Sequence, residues 1–180
     1  MPPIETRLFD AQEFHRAIET MARAIAAGRT VGAPLRLIGI RSRGVPLAER
    51  LAAALTPLVG ETVPVGAVDI TLYRDDLGQG TRWPVLHGTA VPFAVDGTDI
   101  VLVDDVLYTG RTVRAALNAI CDLGRPARIR LAVLVDRGER ELPIQPDVVG
   151  TTVAVEPGQR VRVRVAPLDP VDEVVRTTHR

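Results

Sequence analysis

The chain has 180 residues, 46% of them apolar, and its 22 acidic side chains balance 22 basic ones. That length suits one domain with a substantial core, and formal neutrality confines any nucleic-acid surface to a local patch. All 22 basic residues are arginine, which excludes Schiff-base chemistry, a phosphate-loop lysine and a lysine general base.

The opening Met-Pro-Pro-Ile-Glu has no basic region followed by an apolar block, so no signal peptide is expected. No later stretch approaches the roughly 20 apolar residues of a membrane span, and a cytoplasmic chain is expected. Asp10 and Glu13 have capping-box spacing. Phe14, Ala17, Ile18, Met21, Ala22 and Ile25 then share one helical face, with Gly28 at the stop. Leu35–Ile40 reads as a strand, and Pro46 is expected to be the first residue of a helix reaching about Leu55. A strand-like run, 65–72, precedes a long Gly- and Pro-containing loop, 74–92. A short apolar strand over 99–103 leads through a loop to a helix over 111–123, closed by Gly124. Further strands are expected at 129–135 and 161–165, the latter the last. Apolar runs such as Ile-Val-Leu-Val (100–103) suit strands covered on both faces. The expected fold class is therefore α/β, a single domain over 1–180 with an open, mostly parallel sheet flanked by helices. Ligands of such sheets gather at the carboxyl ends of the strands.

One segment carries most of the chemical information: Ile-Val-Leu-Val-Asp-Asp-Val-Leu-Tyr-Thr-Gly-Arg-Thr (100–112). An apolar strand delivers Asp104 and Asp105 to the sheet edge, and Thr109-Gly110-Arg111-Thr112 turns into a helix. Helix-opening amides favour an anion, and threonine hydroxyls can donate to it. An ionised Asp only accepts hydrogen bonds, so acids beside an anion site make sense when the ligand also presents hydroxyls. A ribose 5-phosphate meets both conditions, whereas an isolated Asp-Asp or Thr-Gly pair describes an ordinary surface turn. The motif is not a phosphate loop of the Gly-Lys-Ser/Thr kind. Ser42, the sole serine, is not on a nucleophile elbow, and His15, His87 and His179 are too scattered to join Cys121 around a metal.

The same run resembles the phosphoribosyl pyrophosphate (PRPP) motif of type I phosphoribosyltransferases, in the version found in the PyrR family of pyrimidine-operon regulators. Three further segments agree in order along the chain: Gly-Ile-Arg-Ser-Arg-Gly (39–44), Asp-Ile-Thr-Leu-Tyr-Arg-Asp-Asp-Leu (69–77) and Val-Asp-Arg-Gly-Glu-Arg-Glu-Leu-Pro-Ile (135–144). The resemblance implies a type I phosphoribosyltransferase fold with a small hood and a mobile loop over about 74–92. It implies a uracil phosphoribosyltransferase that converts uracil and PRPP to UMP and pyrophosphate with Mg²⁺ held through the substrate. It also implies an RNA-binding attenuator that responds to UMP or UTP on the mRNA leader of pyrimidine genes, and a homo-oligomer.

Carried onto this chain, the ribose-phosphate site is Asp104, Asp105, Val106, Leu107, Tyr108, Thr109, Gly110, Arg111 and Thr112. Ser42 and Arg43 take the pyrophosphate. Arg74, counted with Asp104 and Asp105 as catalytic, and Arg82 belong to the closing loop. Arg137 and Val161 lie at the base, with a salt bridge from Arg137 to Asp136 or Glu141 as the competing structural reading. Candidates for RNA contact are Arg16 and Arg23, seven apart on the first helix, Arg140, and Arg160, Arg162 and Arg164, which alternate with valines. Such alternation also describes any half-exposed strand. Two other readings stay open: a nucleotide-sensing RNA binder with vestigial catalysis, and an enzyme for another base without RNA binding.

Overall fold

The computed structural model describes residues 4–73 and 88–178. In chain order the elements are β1 (Ile4–Phe9), α1 (Ala11–Ala27), β2 (Leu35–Ile40), α2 (Gly44–Val59), β3 (Val65–Val68), β4 (Asp99–Leu107), α3 (Arg111–Leu123), β5 (Arg128–Asp136), β6 (Val148–Thr152), β7 (Gln159–Arg164) and β8 (Glu173–Thr178). Five strands form a parallel sheet in the order β3-β2-β4-β5-β6. The alternating sides of its strands feed two cores. Leu35, Leu37, Val101, Val103 and Leu134 pack under α1 and α2, while Ile38, Ile40, Ile100, Leu102 and Val133 pack with the α3 residues Val113, Ala116 and Ile120. This two-sided burial is why the strands read as continuous apolar runs.

The first helix matches its sequence reading closely. Asp10 and Glu13 exchange the two capping-box hydrogen bonds, and the six residues expected on the inner face are the buried ones. The second helix starts at Gly44, two residues before Pro46. Proline is tolerated there because first-turn amides have no partner within the helix. The strand expected over 65–72 stops at Val68, since the Asp69 carboxylate accepts from both the amide and the hydroxyl of Thr71 and bends the chain into a 3-10 turn, Thr71–Tyr73. At the described end of the expected loop, Ala90 is bonded to Ala67 of β3 through both amides at 2.8 Å.

β4 extends four residues past the expected Val103, because pairing with β5 continues from Asp104 to Leu107. The acids thus stand within a strand rather than after it. Three strands are additional to the sequence reading: β6, which extends the parallel sheet, and β1 and β8, which pair with β7 in an antiparallel sheet ordered β1-β8-β7. The segment expected as the last strand is therefore followed by another. Among the described residues no helix is long and apolar enough to cross a membrane.

Candidate active site

The order of the main sheet reverses between β2 and β4, since β2 leads outward to β3 and β4 leads the other way to β5. A crevice opens at such a switch point, outside the carboxyl ends of the strands. Two loops meet there. After β2, residues 41–43 fold back so closely that a Cβ on Gly39 would lie 2.5 Å from the Gly44 carbonyl oxygen, and one on Gly44 would collide with the Val103 carbonyl of β4. Only glycine at both positions seats this loop on the sheet. The Arg41–Ser42 peptide bond in it is cis.

β4 supplies the acids. Asp104 is 7% exposed, and its Oδ1 accepts the Asp105 amide at 3.0 Å, while Asp105 Oδ1 accepts the Val106 amide at 2.8 Å. Neither carboxylate has an ion-pair partner among the described residues. Burial, reinforced by the Asp105 charge, holds the Asp104 carboxyl well above the usual carboxylate range. Burial also raises Asp105, while the Val106 amide and then the charge of Arg43 pull it partly back. Two adjacent acids, one of them buried and neither ion-paired, are costly to ionise, and a ligand bringing hydroxyls or a cation relieves that cost.

Gly110 turns the chain into α3 at φ 92°, a left-handed conformation in which a side chain would also press on Ile144 at 3.3 Å. The N-cap residue Gly110 has no side chain to cap the helix, and the Thr109 hydroxyl accepts from the Arg111 amide at 3.4 Å. The dipole of this helix start favours an anion. The segment after β5 braces this turn: the Glu141 and Leu142 amides donate to the Thr109 carbonyl, and Glu141 ion-pairs with Arg111 at 2.6 Å. Arg140 lies inward, its guanidinium donating to the carbonyls of Tyr108, Gly138 and Ile144 and to Asp136 at 2.7 Å. These bonds tie the segment after β5 to the turn before α3.

Arg137 stacks on the Tyr108 ring, 3.9 Å from its centroid, and pairs with Glu139 at 2.6 Å. The competing salt bridge from Arg137 to Asp136 or Glu141 is not formed, since those acids hold Arg140 and Arg111.

The space above β4 is one cleft in three connected parts. A compartment of about 320 Å³ is lined by Ser42, Arg43, Asp69, Asp104, Asp105 and Thr112 among others. A middle part of about 310 Å³ shares Arg43, Asp105 and Val106 with it and reaches Arg160, Val161 and Arg162. An outer part of about 750 Å³ lies between Tyr108, Arg137 and Glu139 on one side and Glu156–Val161 on the other. The structure thus brings Ser42, Arg43, Asp104, Asp105, Val106, Thr112, Tyr108, Arg137 and Val161 onto one cleft. Leu107 is buried in the core below, and Thr109, Gly110 and Arg111 form the turn at the rim. Arg74 and Arg82 lie outside the described residues.

The remaining arginine candidates differ. Arg16 and Arg23 are exposed on α1. Arg160 and Arg162 are exposed at the cleft mouth, whereas Arg164 is held by Glu173 at 2.6 Å and Glu5 at 2.7 Å. Arg164 is therefore a strut of the small sheet. Sequence reading did not single out Asp169, whose carboxylate grips Arg43 through Nε and Nη2, both at 3.0 Å. Nor did it single out Glu156 and Gln159 at the outer cleft. No local pattern marks these residues, which reach the site only through the antiparallel sheet.

A parallel sheet with a switch-point cleft, an acid pair at the end of β4 and a glycine-turned helix start define a phosphoribosyltransferase. The phosphoribosyl transferase domain model matches residues 5–165, and the chain belongs to that family. Within it the chain belongs to the PyrR family. It is 53% identical over 177 residues to the bifunctional protein PyrR of Roseiflexus sp. (strain RS-1), covering 97% of each chain. It is 54% identical to the PyrR of Chloroflexus aurantiacus over 171 residues, covering 95% of this chain and 94% of the relative. The hypoxanthine phosphoribosyltransferase of Trypanosoma cruzi shares the fold, with TM-score 0.70 over 97% of both chains at 20% identity.

Proposed function

We propose that this chain transfers the phosphoribosyl group of PRPP to uracil, giving UMP and pyrophosphate, and that it couples this site to RNA-binding control of pyrimidine genes. The observation that carries the enzymatic reading is the acid pair at the cleft floor, Asp104 buried, Asp105 half-buried and neither ion-paired among the described residues, beside the glycine-turned start of α3. In the reaction, N1 of uracil bonds to the anomeric carbon as the bond to pyrophosphate oxygen breaks, and the N1 proton passes to solvent. Positive charge builds on the ribose meanwhile. Asp104 and Asp105 accept from the ribose hydroxyls and stabilise that charge, which is worth more in a dry cleft than in water. The amides around Thr109–Thr112 hold the 5-phosphate, and Ser42 and Arg43 hold the pyrophosphate. Tyr108, Arg137 and Val161 enclose the base in the outer cleft.

The donor set suits Mg²⁺, a hard cation that keeps several waters and takes oxygen ligands from phosphates. Asp104 and Asp105 would help hold it together with substrate oxygens, and the chemistry it would supply is neutralisation of the leaving group's charge. We assign the whole chain to one domain, acting as a homo-oligomer in the cytoplasm. Arg16 and Arg23 contact the RNA, with UMP or UTP in the cleft as the signal. The test is UMP formation from uracil and PRPP with Mg²⁺, run beside xanthine and hypoxanthine. Product from a purine but not from uracil would overturn the assignment of the base. Binding to a pyrimidine-gene leader RNA, with and without UMP, tests the second activity.

A further inference from the structure

Two acid–arginine latches join the loop between β7 and β8 to α2 and to the residue just before it, and they differ in one respect. Asp172 takes Nη1 and Nη2 of Arg50, at 2.6 and 2.9 Å, and Nη2 also donates to the Ala166 carbonyl. The Arg50 guanidinium lies over the Phe14 ring, 5.5 Å from its centroid, and borders none of the three parts of the cleft. Asp169 instead grips Arg43 side-on, through Nε and Nη2. A guanidinium has five N–H donors, so this grip leaves both hydrogens of Nη1 and one of Nη2 without a partner among the described residues. Arg43 borders both the inner and the middle parts of the cleft, close enough to Asp105 to lower its pKa. One edge of the guanidinium is fixed and the other, matched to a pair of phosphate oxygens, is presented to the cleft.

Asp169 is itself held. Its Oδ2 accepts the Val165 amide at 3.0 Å, and its own amide donates to the Val165 carbonyl at 2.9 Å. Val165 is fully buried. The carboxylate therefore stands on a tight turn rooted in the core, and the orientation of Arg43 is set from the opposite wall of the cleft.

We propose that Asp169 is a positioning residue that pre-orients Arg43 for the pyrophosphate moiety of the substrate. The inference rests on the phosphoribosyltransferase reading and adds to it a residue from outside the motifs. An arginine left to itself loses rotamer freedom when it binds a phosphate, and a side-on anchor removes that loss before the ligand arrives. The effect falls on the ligand that Arg43 touches and not on uracil.

Steady-state kinetics of five variants test this. Asp169→Asn should raise KM for PRPP and the inhibition constant of pyrophosphate on the order of tenfold, with KM for uracil changed less than about twofold. Asp169→Glu should recover part of that loss. Asp172→Asn, which opens the neighbouring latch, should lower the Tm and leave KM for PRPP unchanged. Arg43→Ala should raise KM for PRPP at least as far as Asp169→Asn, and the double variant Arg43→Ala/Asp169→Asn should be no worse than Arg43→Ala alone. Equal losses for both substrates in Asp169→Asn, the same profile in Asp172→Asn, or additive losses in the double variant would overturn the positioning role. Arg43→Ala with unaltered PRPP and pyrophosphate affinity would instead overturn the pyrophosphate assignment, and the inference with it.

Discussion

The two ends of β4 carry buried acids under opposite regimes. At its start Asp99, fully buried, is satisfied by Arg130 through Nε at 3.2 Å and Nη2 at 2.9 Å and by the Thr30 amide at 2.7 Å. Arg130 in turn donates to the Ile25 carbonyl at the end of α1. At the other end Asp104 is nearly as deep and Asp105 half-buried, and neither has an ion-pair partner among the described residues, the charge of Arg43 reaching Asp105 only from a distance. One strand thus begins in a closed charge pair that ties α1, β4 and β5 together and ends in an open one that faces a cleft. Paired charge holds the fold, and unpaired charge is left for a ligand. The arginines divide in the same way: Arg140 and Arg164 are consumed by the fold, while Arg16 and Arg23 are exposed on α1.

The largest effect on stability comes from breaking the closed pair. Arg130→Ala strands a buried carboxylate and should cost about 3–5 kcal/mol, read as a lower midpoint in denaturant unfolding. At the open end the loss falls on activity. Asp105→Asn should lower turnover at least about tenfold, equal to about 1.4 kcal/mol of transition-state stabilisation, without lowering the unfolding midpoint. Near wild-type turnover would remove Asp105 from the mechanism and break the comparison there.

Among the arginines, Arg16→Gln combined with Arg23→Gln should flatten the salt dependence of leader-RNA binding by about 1.4 in slope, for two single-strand phosphate contacts. Arg164→Gln should leave that slope unchanged and destabilise the small sheet instead.

The smallest effect expected is the most diagnostic. A carboxyl whose folded pKa lies above its unfolded one binds an extra proton in the native state, so stability falls as pH rises from the unfolded value through the folded one. Asp104→Asn removes that term. The ligand-free variant should melt a few degrees above wild type at neutral pH, with the gain shrinking toward mildly acidic pH. A Tm difference that does not change with pH would mean that Asp104 is not an unpaired ionised acid in the free protein.

Much of this molecule could be read from its residues in order. The capping box at Asp10, the inner face of α1, the apolar runs of β2, β4 and β5 and the strand–acid–turn–helix segment over 100–112 are local patterns. Periodicity and turn chemistry act over a few residues, and they determine where an α/β chain of this kind places the turn between its acid-bearing strand and the following helix. The continuation of β4 through its acids was less legible, because pairing with β5 rather than side-chain pattern extends it.

What the sequence by itself determined, then, is the parallel core and the half of the cleft built from consecutive residues. Tertiary structure alone decided the opposite wall. β1 and β8 join the two ends of the chain, and Asp169 meets Arg43 across 126 residues. Whether Arg43, Arg140 or Arg164 is open to a ligand or tied up depends on which acids and carbonyls the fold brings beside each. No spacing rule encodes that, because the loop closures that bring them together are long and the partners share no local pattern.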